Sequence, residues 1–160
     1  MAAVTKTGTR AAAGIPVGGA GPANAVHASW GTVTVEADSE DGDIFKVCKL
    51  PAGATVLSGH IISTDGDTGI ESLDIDIGWA ATDDEVADPD GFGNLGVWTG
   101  DTSPEKPLAG TYINFAGVLT TVGPKTFTAA ATIQLETNAA AATGVAMEVT
   151  VVVYYVFNAT

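Results

Sequence analysis

An all-β fold is predicted for this chain: an antiparallel β-sandwich, jelly-roll-like in topology, preceded by an extended N-terminal arm. Three observations predict it. After Trp30 the apolar residues recur with a period of two, and no helical period is found. Gly, Pro, Asp and Ser clusters punctuate these runs at a spacing that gives roughly seven or eight strands. The closing strand is apolar on both faces from Val149 onward, which requires cover on both sides, either inside the sheet or against another subunit.

The first strand runs from Gly31 to Ala37, where Val33 and Val35 alternate with Thr32, Thr34 and Glu36. Ser39-Glu40-Asp41-Gly42 is a turn, Ile44 to Leu50 the second strand, and Pro51-Ala52-Gly53 breaks the ladder because proline cannot donate. Ala54 to Ser63 forms the third strand, followed by a turn at Asp65-Gly66-Asp67. Leu73, Ile75, Ile77 and Trp79 then point one way and Asp74 and Asp76 the other, so a one-residue slip would bury two carboxylates. Residues 82–107 lose all periodicity and form an acidic loop, which has a function or carries a short element of its own. Strands resume at Thr111 to Leu119 and at Thr126 to Glu136, where Phe127, Ala129, Ala131, Ile133 and Leu135 share a face. Val145 to Phe157 closes the chain, with Val149, Val151 and Val153 toward the core. Val152, Tyr154 and Val156 face a second apolar surface, expected to be a sister subunit.

Residues 1–28 form the arm and residues 29–160 the body. The arm is rich in Ala and Gly (Gly14, Gly18, Gly19, Gly21) and cannot bury enough apolar surface to offset the entropy of ordering it. A neighbouring subunit is expected to hold it. Extended, 28 residues reach roughly 90 Å.

The formal net charge is −13 and the sequence pI about 4.1, which makes nucleic acid and anionic membrane poor partners. No carboxylate precedes Glu36, whereas Lys6 and Arg10 do, so the arm suits an acidic neighbour. No run reaches the length of a membrane span, and the N-terminus lacks the pattern of a signal peptide, so synthesis in a cytoplasm is expected.

No enzymatic role and no cofactor are expected. His27 and His60 lie in the arm and in a strand. Cys48 is the single cysteine, which excludes an intrachain disulfide and a cysteine-based zinc site, and reads as a small buried hydrophobe. Calcium wants six to eight oxygens on flexible loops, which makes Asp83, Asp84, Asp88, Asp90 and Asn94 candidates, and Asp65 and Asp67 further ones. The plainer reading is preferred: Asp-Gly steps form turns. Trp79 is read as core, and Trp98, in the acidic loop, as an interface aromatic.

The segment Ile44 to Val56, with its Leu50-Pro51-Ala52-Gly53 turn between apolar strands, resembles the small virion proteins of tailed bacteriophages. Asp76-Ile77-Gly78, the Thr132-Ile133-Gln134-Leu135 strand, Ala142-Thr143-Gly144 and the valine-rich closing strand carry the same resemblance, which spans about Trp30 to Phe157. It is to the head decoration, or cement, proteins that bridge capsomers from outside the capsid. This implies a major capsid protein as partner, a homo-oligomer (a trimer), a place on the virion surface and no catalytic residues. The alternative is a head fibre or tail appendage binding host glycan. A secreted calcium-dependent adhesin is disfavoured by the missing signal peptide.

Overall fold

The computed structural model describes residues 3–8, 11, 25–64, 66–67, 72–94 and 112–157. Ten strands occur there: β1 (Thr5–Thr7), β2 (His27–Val35), β3 (Ile44–Leu50), β4 (Ala54–Ser63), β5 (Asp74–Trp79), β6 (Asp88–Gly93), β7 (Tyr112–Asn114), β8 (Lys125–Thr126), β9 (Ala131–Ala139) and β10 (Met147–Phe157). A single helical turn, α1, covers Val118–Thr121.

One sheet has the order β1-β3-β9-β5-β6; the other is β2-β10-β4-β7, with β8 also on β4. Leaving β1 and β8 aside, the chain passes from sheet to sheet in the order of a jelly roll, with β9 and β10 returning to the middles of the two sheets. The inward residues form one core. Phe45, Val47, Leu50, Ile75, Ile77, Ile133 and Leu135 from the first sheet meet Val33, Val35, Val56, Ile61, Val149, Val151 and Val153 from the second. At one end Trp79 packs edge-on to Phe92 and Phe127, with ring centroids 5.0 and 5.4 Å away.

The second sheet approaches β3 closely at Gly31: a Cβ there would lie 2.2 Å from the Val47 carbonyl oxygen. Val47 sits at a bulge in β3, where the register shifts between Lys46 and Cys48. The bulge turns consecutive residues inward, so Val47 and Cys48 are both fully buried. Burial pushes the Cys48 thiol up to about 12, against the opposing effect of the Ser29 hydroxyl, and leaves it protonated at neutral pH.

Several expectations need correction. The arm is not held wholly from outside: β1 pairs in parallel with β3, whose edge offers free backbone groups, and β2 already begins at His27. Arg10 and residues 12–24 of the arm lie outside the described residues. The acidic loop contains β6, which pairs with β5 and anchors itself through the buried Phe92. Residues 95–107 of that loop, Trp98 included, are outside the described residues, as is Asp65. The expected strand through Leu119 stops at Asn114, and Val118 and Leu119 belong to α1, a helical segment the period-two pattern did not predict. The strand expected from Thr126 to Glu136 is two strands. The chain leaves β4 after Thr126, and the Phe127 backbone still bonds Ala54 and Gly53 before β9 starts in the other sheet. Asp76 points away from the core yet is buried, bonded by the Asn138 amide.

Asp67 joins two loops. Its buried carboxylate accepts from the backbone N–H groups of Ser72 (2.9 Å), Leu73 (3.3 Å), Ala142 (3.1 Å) and Thr143 (2.8 Å). Burial pushes this carboxyl up, but those four donors outweigh it and hold it below its ordinary value of 3.8. A depressed folded value means that the contribution is complete above the unfolded value and is lost as pH falls through the folded one. Asp67→Ala, which orphans these donors, should cost about 3 kcal/mol in denaturant unfolding. Asp67→Asn should flatten the loss of stability of the wild type below pH 3.8.

Candidate functional site

Charge is divided between the two sheets. β2, β4, β7 and β10 contain no Asp, Glu, Lys or Arg except Glu148, near the start of β10, and the short β8 at the side of β4 adds Lys125. The strands of the other sheet carry Lys6, Lys46, Lys49, Asp74, Asp76, Asp88, Asp90 and Glu136. For a chain with 19 acidic residues, a sheet face whose strands present a single carboxylate, Glu148, is a departure from its own composition.

The register builds that face. Val152 pairs with Trp30 on one side and His60 on the other, and Tyr154 with Ala28 and Ser58. Val149, Val151 and Val153 point inward and are fully buried, so the intervening residues point outward. Trp30 is 44% exposed and Tyr154 36%; Val152 and Val156 are half-buried by their neighbours. The His60 and Tyr154 rings lie 5.8 Å apart. Burial lowers the His60 pKa, so this ring too is uncharged at pH 7. Thr32 and Thr150 share a hydroxyl hydrogen bond of 2.8 Å that ties β2 to β10. The face thus combines aromatic rings, valines and neutral hydroxyls, a composition suited to contact with another protein surface.

Of the interface residues expected from sequence, the structure groups Val152, Tyr154 and Val156 on this face and adds Trp30, His60 and Ile62. Trp30 was legible as a large apolar residue outside the alternation of its own strand; only the pairing of β2 with β10 places it beside Val152. Lys6 is elsewhere, with its Nζ 3.2 Å from Glu36 of the same chain.

The calcium candidates are spread out. Asp83 and Asp84 are exposed in a turn where the Thr82 hydroxyl accepts from the N–H groups of Asp84 and Glu85, and Asp84 accepts from the Thr128 hydroxyl at 2.8 Å. Burial and then Asp90 push the Asp88 carboxyl up, while Lys125 pulls it down. Lys125 is itself paired with Glu85 at 2.7 Å and lies 4.8 Å from the Trp79 ring centroid. Asn94 is exposed at the far end of β6. Among the described residues no three His, Cys, Asp or Glu side chains converge as metal ligands.

No protein-family model matches the sequence, and no match is found among curated proteins. Solved structures do match. A chain in the capsid of Ralstonia phage GP4 is 20% identical with a TM-score of 0.69, covering 98% of this chain and 100% of that one. A chain of the cyanophage Pam1 capsid asymmetric unit is 22% identical with a TM-score of 0.63, covering 87% and 89%. One in the acidic stable capsid of Helicobacter pylori bacteriophage KHP30 is 16% identical with a TM-score of 0.56, covering 84% and 90%. The likeness is one of fold, and it takes in nearly the whole of each chain.

The two faces of β10 should respond differently to the same change. Val151→Asp, which places a carboxylate in the core, should prevent folding as read by circular dichroism and urea denaturation. Val152→Asp, on the outward face, should leave the fold intact at a cost of about 1–2 kcal/mol.

Proposed function

We propose that this chain is a virion structural protein of a tailed bacteriophage, a decoration or cement protein on the outer capsid surface that bridges capsomers. The observation that carries this reading is the end-to-end likeness of fold to a chain of the Ralstonia phage GP4 capsid. The resemblance of the Ile44 to Val56 segment and of the closing strand to decoration proteins supports the outer position. The role needs no chemistry: the one thiol is buried and protonated, and the carboxylates serve as staples and solvated charge.

The partners in this reading are the major capsid protein and further copies of the chain, arranged as a trimer. Copies with a net charge of −13 repel one another, so a close contact between them is best made where carboxylates are absent. The face of Trp30, Val152, Tyr154 and Val156 meets that requirement, and it is assigned to the contact between copies. A ligand that binds the assembled shell and not its free parts stabilises the shell by mass action, and symmetry multiplies weak contacts into avidity. The alternative, a head fibre or tail appendage binding host glycan, would use the same exposed rings of Trp30 and Tyr154 as stacking platforms.

Particles produced without the protein should release DNA at a lower temperature than wild-type particles while packaging and adsorbing normally. Particles that are equally robust but fail to adsorb would replace the cement reading with the appendage reading. In the same system Val152→Asp should dissociate the oligomer and lower occupancy on particles at least tenfold, because a buried unpaired carboxylate at each contact costs more than about 1.4 kcal/mol.

A further inference from the structure

Residues 4–7 are held to the body by few and exposed contacts. Thr5, Lys6 and Thr7 lie opposite Ile44, Phe45 and Lys46 in parallel register. The Ile44 N–H donates to the Val4 carbonyl at 2.8 Å, the Gly8 N–H to the Lys46 carbonyl at 2.7 Å, and the Val4 N–H to the Asp43 carboxylate at 2.7 Å. The Lys6–Glu36 pair is solvent-accessible, and such pairs contribute little. No residue from 3 to 7 is buried. Residues 4–7 are held by backbone hydrogen bonding to an open sheet edge, helped by one carboxylate, while Gly8 lies close against Val33 and Thr32 and Ala11 beyond it is buried.

Every one of those groups is offered identically by every copy of the chain. The connection back to the body does not dictate which copy is used. From the buried Ala11 to His27 the sequence is rich in Gly and Ala, and extended it could span about 50 Å, many times the spacing of about 5 Å between paired strands. Charge favours contact between copies as well. The segment before Glu36 carries Lys6 and Arg10 and no carboxylate, whereas all 19 acidic residues lie from Glu36 onward. An arm is therefore attracted to the body of another copy even though the bodies repel.

We propose that β1 is an exchangeable clasp: when copies are crowded side by side, the β3 edge of one copy takes residues 4–8 of its neighbour. In a dilute molecule the tether gives β1 an effective concentration of about 1 mM at its own edge, and the clasp closes within the chain. Where neighbours bring their arms to a comparable local concentration, exchange replaces each contact with its equivalent and loses none, as in domain swapping. The chains are then linked while each β3 edge stays covered. The capsid reading is not required: the inference concerns copies of this chain at high local concentration and is tested in purified protein.

Two single-cysteine variants, Thr7→Cys and Lys46→Cys, pair across the clasp in its own register, at a separation a disulfide can span. Native Cys48 is buried, with its thiol pushed up to about 12, and stays out of the reaction. The variants are mixed and mildly oxidised at about 1 mM and at about 10 μM. The expected result is a heterodimer severalfold above that formed by Thr7→Cys with Val122→Cys, an exposed position off the clasp, with the excess lost on dilution. The double variant in one chain should close internally at about 10 μM, and at about 1 mM should form disulfide-linked dimers beside the internally closed chain. A heterodimer yield no higher than the Val122 control, with the double variant closing normally, would confine the clasp to its own chain and overturn the proposal. Failure of the double variant to close would remove β1 from the β3 edge and overturn it equally.

Discussion

The register of β10 decides both faces of its sheet, and space as well as polarity sets that register. Glu148 and Thr150 mark the outward row at the start of the strand. From Val151 onward β10 is apolar on both sides, so that stretch would tolerate a slip by one residue. Its neighbours would not. The inward row beside Val151 and Val153 contains Gly31, Ser29 and Gly59. A Cβ at Gly31 would strike the Val47 carbonyl, and one at Gly59 would lie 2.4 Å from a Phe115 ring carbon. A slip that turned β2 over would drive the Trp30 indole into the place of Gly31, where not even a methyl group fits. The small residues thus hold the valines inside, and Trp30, Val152 and Tyr154 outside.

With that register fixed, the charge distribution follows from the strand sequences. The chain places its strand carboxylates almost wholly in the sheet of β3, β5, β6 and β9, where they crowd one another. Burial raises the Glu136 pKa, and Asp76, Asp41 and Asp90 push it further. Other carboxylates are spent on architecture: Asp67 gathers four backbone donors, and Asp43 holds the N–H groups of Val4 and Glu40. The opposite sheet is left with Glu148 and Lys125 as its strand charges, and a strongly acidic molecule thereby keeps one surface where like-charge repulsion is small.

Much of this was legible in the sequence because it is local. Alternation located β3, β4, β5 and β10, the Leu50-Pro51-Ala52-Gly53 turn separated two of them, and Val149, Val151 and Val153 declared themselves as core. What was not legible depends on partners far along the chain. β6 is built from Asp88, Pro89, Asp90 and two glycines, poor strand formers, and exists because the β5 edge offers hydrogen bonds and Phe92 finds the core. β1 has no apolar signal at all and forms on the edge of β3. The break between β8 and β9 marks a crossing from one sheet to the other, which an unbroken alternation through Phe127 conceals. The charge-poor face was half visible: Val152, Tyr154 and Val156 stood out in β10, but Trp30 and His60 join them only through strand pairing.

The central claim is that the neutral sheet face is covered in the assembled particle while the charged sheet is not. Hydroxyl-radical footprinting of the free protein and of particles that carry it reads this directly, since Trp30 and Tyr154 are both reactive and exposed in the single chain. The account predicts that both become protected on the particle, while Val86, exposed in the acidic segment beyond that face, labels as before. Trp30 and Tyr154 labelling as fast on the particle as in solution, or the absence of the protein from purified particles, would contradict it.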